Sequence, residues 1–280
     1  MQKVKIVTDS TCDLPDKIVE ELAIIVVPLK VFMDDATFTA GIDLTAEEFY
    51  DKMPFLRDTP STTPPSPALF FEAYEDAASE AETIVSIHIS RRMSFTIESA
   101  EQARSMLPMM DIRIFDSFTT GASLGLVVLM AAWAVNEGLT MDEVCDIVKI
   151  AVEQVRVIGF PSTLKYLVKG GRIGRARGLV GRLLGRVPIL TIAEGETSSL
   201  TTVPGAEGAM DWMIEHLKEE GLDSTSIIAL THGNMPNVAE VFRRRVEGTF
   251  GCRVQYIGLV GPVVGSHLGP GSLFFTYIKK

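Results

Sequence analysis

The stretch Lys3-Val4-Lys5-Ile6-Val7-Thr8-Asp9-Ser10-Thr11-Cys12-Asp13-Leu14-Pro15 sets the class of the fold. Its first half alternates and is rich in Val and Ile, so Lys3 to Thr8 reads as a β-strand. Its second half is a polar turn, with Asp13 as a candidate N-cap and Pro15 in the first turn of a helix reaching about Ala23. A polar cluster at the carboxyl end of a strand that leads into a helix is where open α/β sheets bind ligands. A capping network for the turn would use Asp9, Ser10 and Thr11 equally well.

The same grammar repeats along the first half of the chain. Ile24 to Phe32 reads as one or two strands, and Thr45 with Glu48 forms a capping box for a helix to about Met53. Asp58 to Pro67 is a hydroxyl-rich, proline-stiffened loop, after which Ser66 caps and Pro67 opens a helix to about Ala81. Thr83 to Ile89 is a strand that gives way through Ser90-Arg91-Arg92-Met93-Ser94-Phe95-Thr96 to a helix ending near Met106. Backbone amides at that helix start favour an anion, and Ser94 and Thr96 add donors. Asp111 to Asp116 is a further strand, Gly121 to Asn136 a buried apolar helix, and Thr140 with Glu143 caps a helix to about Val155. This alternation predicts a first domain, residues 1–155, built on a mostly parallel sheet flanked by helices.

Residues 156–280 have a different texture and read as a second domain, a mixed α/β sandwich. Arg156 to Pro161, a hairpin at Glu194-Gly195-Glu196, Ser226 to Thr231, Val254 to Val260 and Leu273 to Ile278 read as strands. A short helix is expected at Thr163 to Val168, and longer ones at Ala206 to Glu220 and from Pro236, capped by Asn234, to Glu247. Ile173 to Leu184 reads as a helix, and the glycines recurring at 174, 178, 181 and 185 share one face, for close packing or for an extended ligand. Gly261-Pro262-Val263-Val264-Gly265-Ser266-His267-Leu268-Gly269-Pro270-Gly271-Ser272 reads as an open loop with exposed amides and one titratable group, His267. A structural glycine loop holding a hydrogen-bonded histidine is the plain alternative.

Composition narrows the function. The 280 residues are 46% hydrophobic with a net charge of −10, which argues against a general nucleic-acid binder. From Gln154 to Ala193 eight Lys or Arg stand with no acid, so all 36 Asp and Glu lie elsewhere. No apolar run approaches the roughly 18 residues of a transmembrane segment. Cys12, Cys145 and Cys252 are far apart, which suits a reducing cytoplasm. Histidines at 88, 216, 232 and 267 lack metal-ligand spacing, and no phosphate loop or HExxH is found. His88 reads as a sheet residue, His216 as part of a solvated helix face and His232 as a turn residue. Hydroxyls with His267 and Arg172 suit the binding of an anionic head. A small acyl-ester hydrolase using Ser94 and His267, or a small-polyol kinase-like enzyme, is the competing class.

Several of these segments together resemble one family. Val4 to Pro15, Thr62-Thr63-Pro64-Pro65-Ser66-Pro67, Met93-Ser94-Phe95-Thr96, Lys169-Gly170-Gly171-Arg172-Ile173 and Gly261 to His267 are similar, in the same order, to motifs of the DegV family. The resemblance implies a two-domain α/β protein that encloses one long-chain fatty acid and needs no cofactor. It also implies a role as the fatty-acid-binding subunit of a bacterial fatty acid kinase, whose catalytic subunit phosphorylates the carboxylate. The carboxylate would be held by Thr62 or Thr63, Ser94 and His267, with Arg172 nearby. Two positions depart from the family pattern: Phe95 where a small glycine is common, and Pro64 where Gln is common. The basic segment, led by Arg172, Arg175 and Arg182, is then expected to meet the kinase partner.

Overall fold

The polar turn after the first strand lies where two sheets face each other in the computed structural model, which describes residues 4–279. The first strand, β1 (Val4–Asp9), is followed by α1 (Asp16–Glu21) and β2 (Ile25–Val27). Lys3, included in the sequence reading of that strand, lies outside the described residues. A small unit follows, of β3 (Lys30–Met33), β4 (Ala36–Thr39), α2 (Ala46–Lys52) and β5 (Ser61–Thr63). The regular alternation resumes with α3 (Pro67–Glu80), β6 (Thr83–His88), α4 (Thr96–Ser105), β7 (Asp111–Asp116), α5 (Ala122–Asn136) and α6 (Met141–Gln154). Thr45 and Thr140 each form a capping box, and Ser66 accepts from the Leu69 amide with Pro67 opening α3.

The order β2-β1-β6-β7 makes one parallel sheet, with Ile6 opposite Val85 and Val85 opposite Arg113. The chain steps one way from β1 to β2 and the other way to β6. The switch point therefore lies between β1 and β6, and the crevice at their carboxyl ends is the position where such sheets bind ligands. The strand or strands between Ile24 and Phe32 prove to be two in different sheets. β2 joins the parallel sheet, and β3 centres a three-stranded antiparallel sheet in which Val31 pairs with Thr62 of β5.

The second half contains β8 (Arg156–Phe160), α7 (Lys165–Lys169), β9 (Arg186–Ala193), β10 (Glu196–Pro204) and α8 (Gly205–Glu219). It continues with β11 (Ile227–His232), α9 (Pro236–Phe250), β12 (Val254–Leu259), α10 (Pro262–Leu268) and β13 (Leu273–Ile278). Its sheet runs β10-β9-β8-β13-β11-β12, and all its pairs are antiparallel except β11 with β12. α8 and α9 cover one face through Met213, Leu217, Phe242 and Val246. The other face meets α5. Leu124, Leu126, Val127 and Val128 of α5 share one core with Ile6 and Val85 of the first sheet and with Ala229, Tyr256 and Ile278 of the second. Each fully buried Leu or Val side chain there is worth about 1.5–3 kcal/mol. This accounts for a helix that is apolar all round.

Four local expectations are corrected. Residues 261–272 are not an open loop: Pro262 is the first residue of α10, and Gly269 stops it at φ +73°. Ile173 to Leu184 is not an α-helix. A 3₁₀ segment covers Gly174–Leu179, and turns follow. Gly174 and Gly181, with Gly185 just beyond, have φ of +48°, +77° and +77°, which a right-handed helix cannot contain, so the shared glycine face does not exist. Asp13 does not cap α1; it sits at φ +48° and its carboxyl accepts from the Gly261 amide, 3.1 Å away. Asn234 does not cap α9. His232 does the nearby work, its Nδ1 accepting from the Met235 amide at 3.1 Å.

Candidate functional site

One cavity occupies the crevice at the β1–β6 switch point and is roofed by the second sheet. The space not filled by protein atoms, open mouth included, is about 930 Å³. Its walls are mostly apolar and come from both halves of the chain, among them Leu29, Ile89, Val157, Leu190, Val263 and Phe274. One face of α10, through Val263, Val264, His267 and Leu268, forms a continuous strip of the lining.

Of the residues expected to hold an anion, Thr62, Ser94, Arg172 and His267 all line this cavity. Thr63 does not. Neighbours on a strand face opposite ways, so β5 gives Thr62 to the wall, Pro64 just beyond the strand joins it, and Thr63 between them does not. Thr62 is therefore the candidate ligand group of the two threonines. Its Oγ1 is 2.9 Å from His267 Nε2. In the tautomer with the proton on Nε2, His267 donates to Thr62 and leaves the Thr62 hydroxyl proton free for a ligand oxygen. His267 Nδ1 is buried without a hydrogen-bond partner. It lies against Gly170, where a Cβ would stand 2.1 Å from it, so only glycine fits there.

Arg172 reaches across from the second half of the chain. Its Nε donates to the Met93 carbonyl at 3.0 Å and its Nη1 to the Gly170 carbonyl at 2.7 Å. That tether sets the guanidinium beside Ser94, the residue after Met93. Ser94 Oγ is 2.8 Å from Thr96 Oγ1, and Thr96 opens α4, whose first amides have no intrahelical acceptor. Burial, together with the nearby Arg172 charge, pushes the His267 pKa down to about 4. The site thus presents a neutral imidazole, hydroxyls and one fixed cation, a set suited to a carboxylate. Among the described residues no His, Cys, Asp and Glu gather to hold a metal ion.

The departures from the family pattern separate here. Phe95 is 71% exposed and is not part of the lining, so it does not narrow the cavity. Pro64 lines it. The hydrolase alternative finds no support, because Ser94 is bonded to Thr96 and His267 to Thr62, and His267 Nδ1 has no carboxylate to orient it. A chain of triad composition does exist elsewhere. Asp9 Oδ2 lies 3.0 Å from His88 Nδ1, His88 Nε2 lies 2.6 Å from Ser86 Oγ, and Ser86 Oγ lies 3.0 Å from Tyr74 OH. All four side chains are fully buried, so the chain is a brace for β1, β6 and α3 and not a nucleophile.

Asp9 also holds the Thr11 amide at 3.0 Å, which locks the turn that carries Asp13 to the cavity wall. Sequence reasoning missed Asp13 as a lining residue. Burial pushes its carboxyl up to about 8, Asp9 adds to the rise, and the Gly261 amide opposes it.

Comparison with known proteins now decides the family. The DegV family model matches residues 3–280. The chain belongs to the DegV family. A DegV domain-containing protein of Caldanaerobacter subterraneus is 32% identical over 289 residues, covering all of both chains. Among solved structures, a DegV family protein of Thermus thermophilus that binds fatty acid superposes with a TM-score of 0.93 at 29% identity, over the full length of both chains. DegV of Bacillus subtilis, a fatty acid binding protein, superposes with a TM-score of 0.89 at 26% identity, again over both full lengths. The DegV architecture of a parallel-sheet domain and a mixed-sheet domain is thus the architecture of this chain.

Proposed function

We propose that this protein binds one long-chain fatty acid between its domains, 1–155 and 156–280, with the carboxylate held by Thr62, Ser94 and His267 and its charge balanced by Arg172. The observation that carries this reading is an apolar cavity whose lining includes all four of those side chains, with Thr62 and His267 in contact. DegV relatives that bind fatty acids share the whole fold. The energetics are sufficient: the roughly fourteen methylenes of a sixteen-carbon chain gain about 0.8 kcal/mol each on burial, near 11 kcal/mol before chain entropy. Hydrogen bonds to the carboxylate add about 1.5–3 kcal/mol each.

The protein then presents that carboxylate to a separate kinase subunit for acyl phosphate formation and does no chemistry itself. The DegV family resemblance and the exposed cations after Arg172 support this part. Its setting is the cytoplasm, in keeping with three free, buried cysteines. Calorimetric titration tests the binding reading. Stearate should bind one to one, and methyl stearate, which lacks the charge, at least about tenfold more weakly. Equal binding of acid and ester would remove the head-group assignment, and no binding of either would remove the function.

A further inference from the structure

The cavity carries a second set of polar atoms that the head-group reading leaves unused. Asp13 lines the cavity, and while its Oδ1 is engaged by the Gly261 amide, its Oδ2 is buried with no hydrogen-bond partner. Oδ2 is 3.5 Å from the point where a Cβ on Gly121 would stand, and Thr120, Gly121 and Ala122 form the cavity wall at the start of α5. Thr120 Oγ1 is likewise buried and unpartnered, as is Thr276 Oγ1 on β13.

Helix α10 gives the spacing between the two polar sets. Gly261, bonded to Asp13, precedes its first residue, and His267 stands near its last. At 1.5 Å per residue the two ends are about 9 Å apart. An extended chain advances roughly 1.2 Å per bond. Carbons level with Asp13 are therefore about seven to nine bonds from the carboxylate, in the middle of a long acyl chain and not at its tip. A saturated chain would seal the unpaired oxygens of Asp13 and Thr120 against hydrocarbon, which is unfavourable. A hydroxyl at that level both donates and accepts, and satisfies them together. Asp13, raised to about 8 by burial, keeps its proton at neutral pH and needs no counter-charge.

We propose that Asp13 and Thr120 form a mid-chain polar subsite, and that the preferred ligands are long-chain fatty acids bearing a hydroxyl near their middle. This rests on the fatty acid reading above and adds a class of ligand to it. The test is calorimetry at pH 7 with stearate, 10-hydroxystearate and 18-hydroxystearate as separate probes. The 10-hydroxy acid should bind at least about tenfold tighter than stearate and the 18-hydroxy acid should not. The preference should fall below about threefold in Thr120→Val and in Asp13→Leu. Stearate binding as well as or better than the 10-hydroxy acid in the parent overturns the subsite, as does a preference that survives both substitutions. The parent comparison decides even if neither variant folds. If the parent binds none of the three probes, the fatty acid reading fails and the subsite falls with it.

Discussion

Thr62 and His267 are 205 positions apart in sequence and 2.9 Å apart in space, and their pairing is the contact on which the proposed head-group site turns. Thr62→Val and His267→Ala should each weaken stearate binding by about 1–3 kcal/mol, as expected for a hydrogen bond to a charged group. Thr63→Val, on the other face of β5, should change it by less than about 0.5 kcal/mol. Calorimetry on the three variants checks this, and equal losses for Thr62 and Thr63 would contradict the strand register. Ser94 was legible as a lining residue because hydroxyls cluster where β6 ends, His267 as the one titratable group in its glycine-rich stretch, and Arg172 through the family resemblance. Asp13 was not, because its hydrogen-bond partner Gly261 lies 248 residues away and a local cap explained it equally well.

The buried acid and the buried histidine also leave a pH signature. Folded Asp13 is raised from 3.8 to about 8, so between those values the folded chain holds a proton that the unfolded chain has lost. Its contribution is full below 3.8 and declines as pH rises towards 8. Folded His267 is lowered from 6.5 to about 4, so the unfolded chain holds the extra proton there and stability falls as pH drops from 6.5 towards 4. The two effects offset each other between about 4 and 6.5, and above that only Asp13 acts, at about 1.4 kcal/mol per pH unit. From pH 6.5 to 8, urea unfolding should show the parent losing about 2 kcal/mol more than Asp13→Asn. Parallel profiles would contradict a protonated Asp13.

At the scale of elements, α5 is the shared core and Gly125 is its closest approach. A Cβ there would stand 2.4 Å from the Cys12 carbonyl oxygen and 2.9 Å from Tyr256 OH. Gly125→Ala should destabilise by about 1–3 kcal/mol through overpacking, although alanine is the better helix former. Gly208 on α8 is the control, with only Pro204 Cδ near, at 3.7 Å. Gly208→Ala should stabilise by about 0.5–1 kcal/mol. Thermal melts of both variants decide, and shifts of the same sign would contradict the packing of α5. The elements that sequence reading placed well, α3, α6 and β6 among them, carry local signals such as caps and alternation. The misread ones depend on tertiary context. Gly265 interrupts the α10 pattern, yet it is required there because the Phe49 ring and Tyr50 OH would lie 2.8 and 3.0 Å from a Cβ. The glycines of residues 174–185 show a helical spacing, but the positive φ values of Gly174, Gly181 and Gly185 are set by how the segment turns, which spacing does not encode.

At the scale of the whole molecule, the basic segment divides into paired and unpaired cations. Arg175 is matched by Glu194 and Glu196, and Lys169 approaches Asp58 at 3.8 Å. Arg177 and Arg182 have no partner among the described residues and lie exposed. On the proposed reading they, and not Arg175, would be the cations that meet the kinase subunit. Arg177→Glu with Arg182→Glu should slow acyl phosphate formation in the reconstituted pair by about tenfold or more at low salt, with the gap closing as salt rises. Stearate affinity should stay unchanged. A wild-type rate at limiting partner concentration would contradict this docking face.

Native mass spectrometry of the purified protein under non-denaturing conditions tests the central claim most directly. The account predicts each chain carrying the added mass of one long-chain fatty acid, released by organic extraction and restored by stearate. A bare 30.6 kDa chain that stays bare when stearate is added would contradict it.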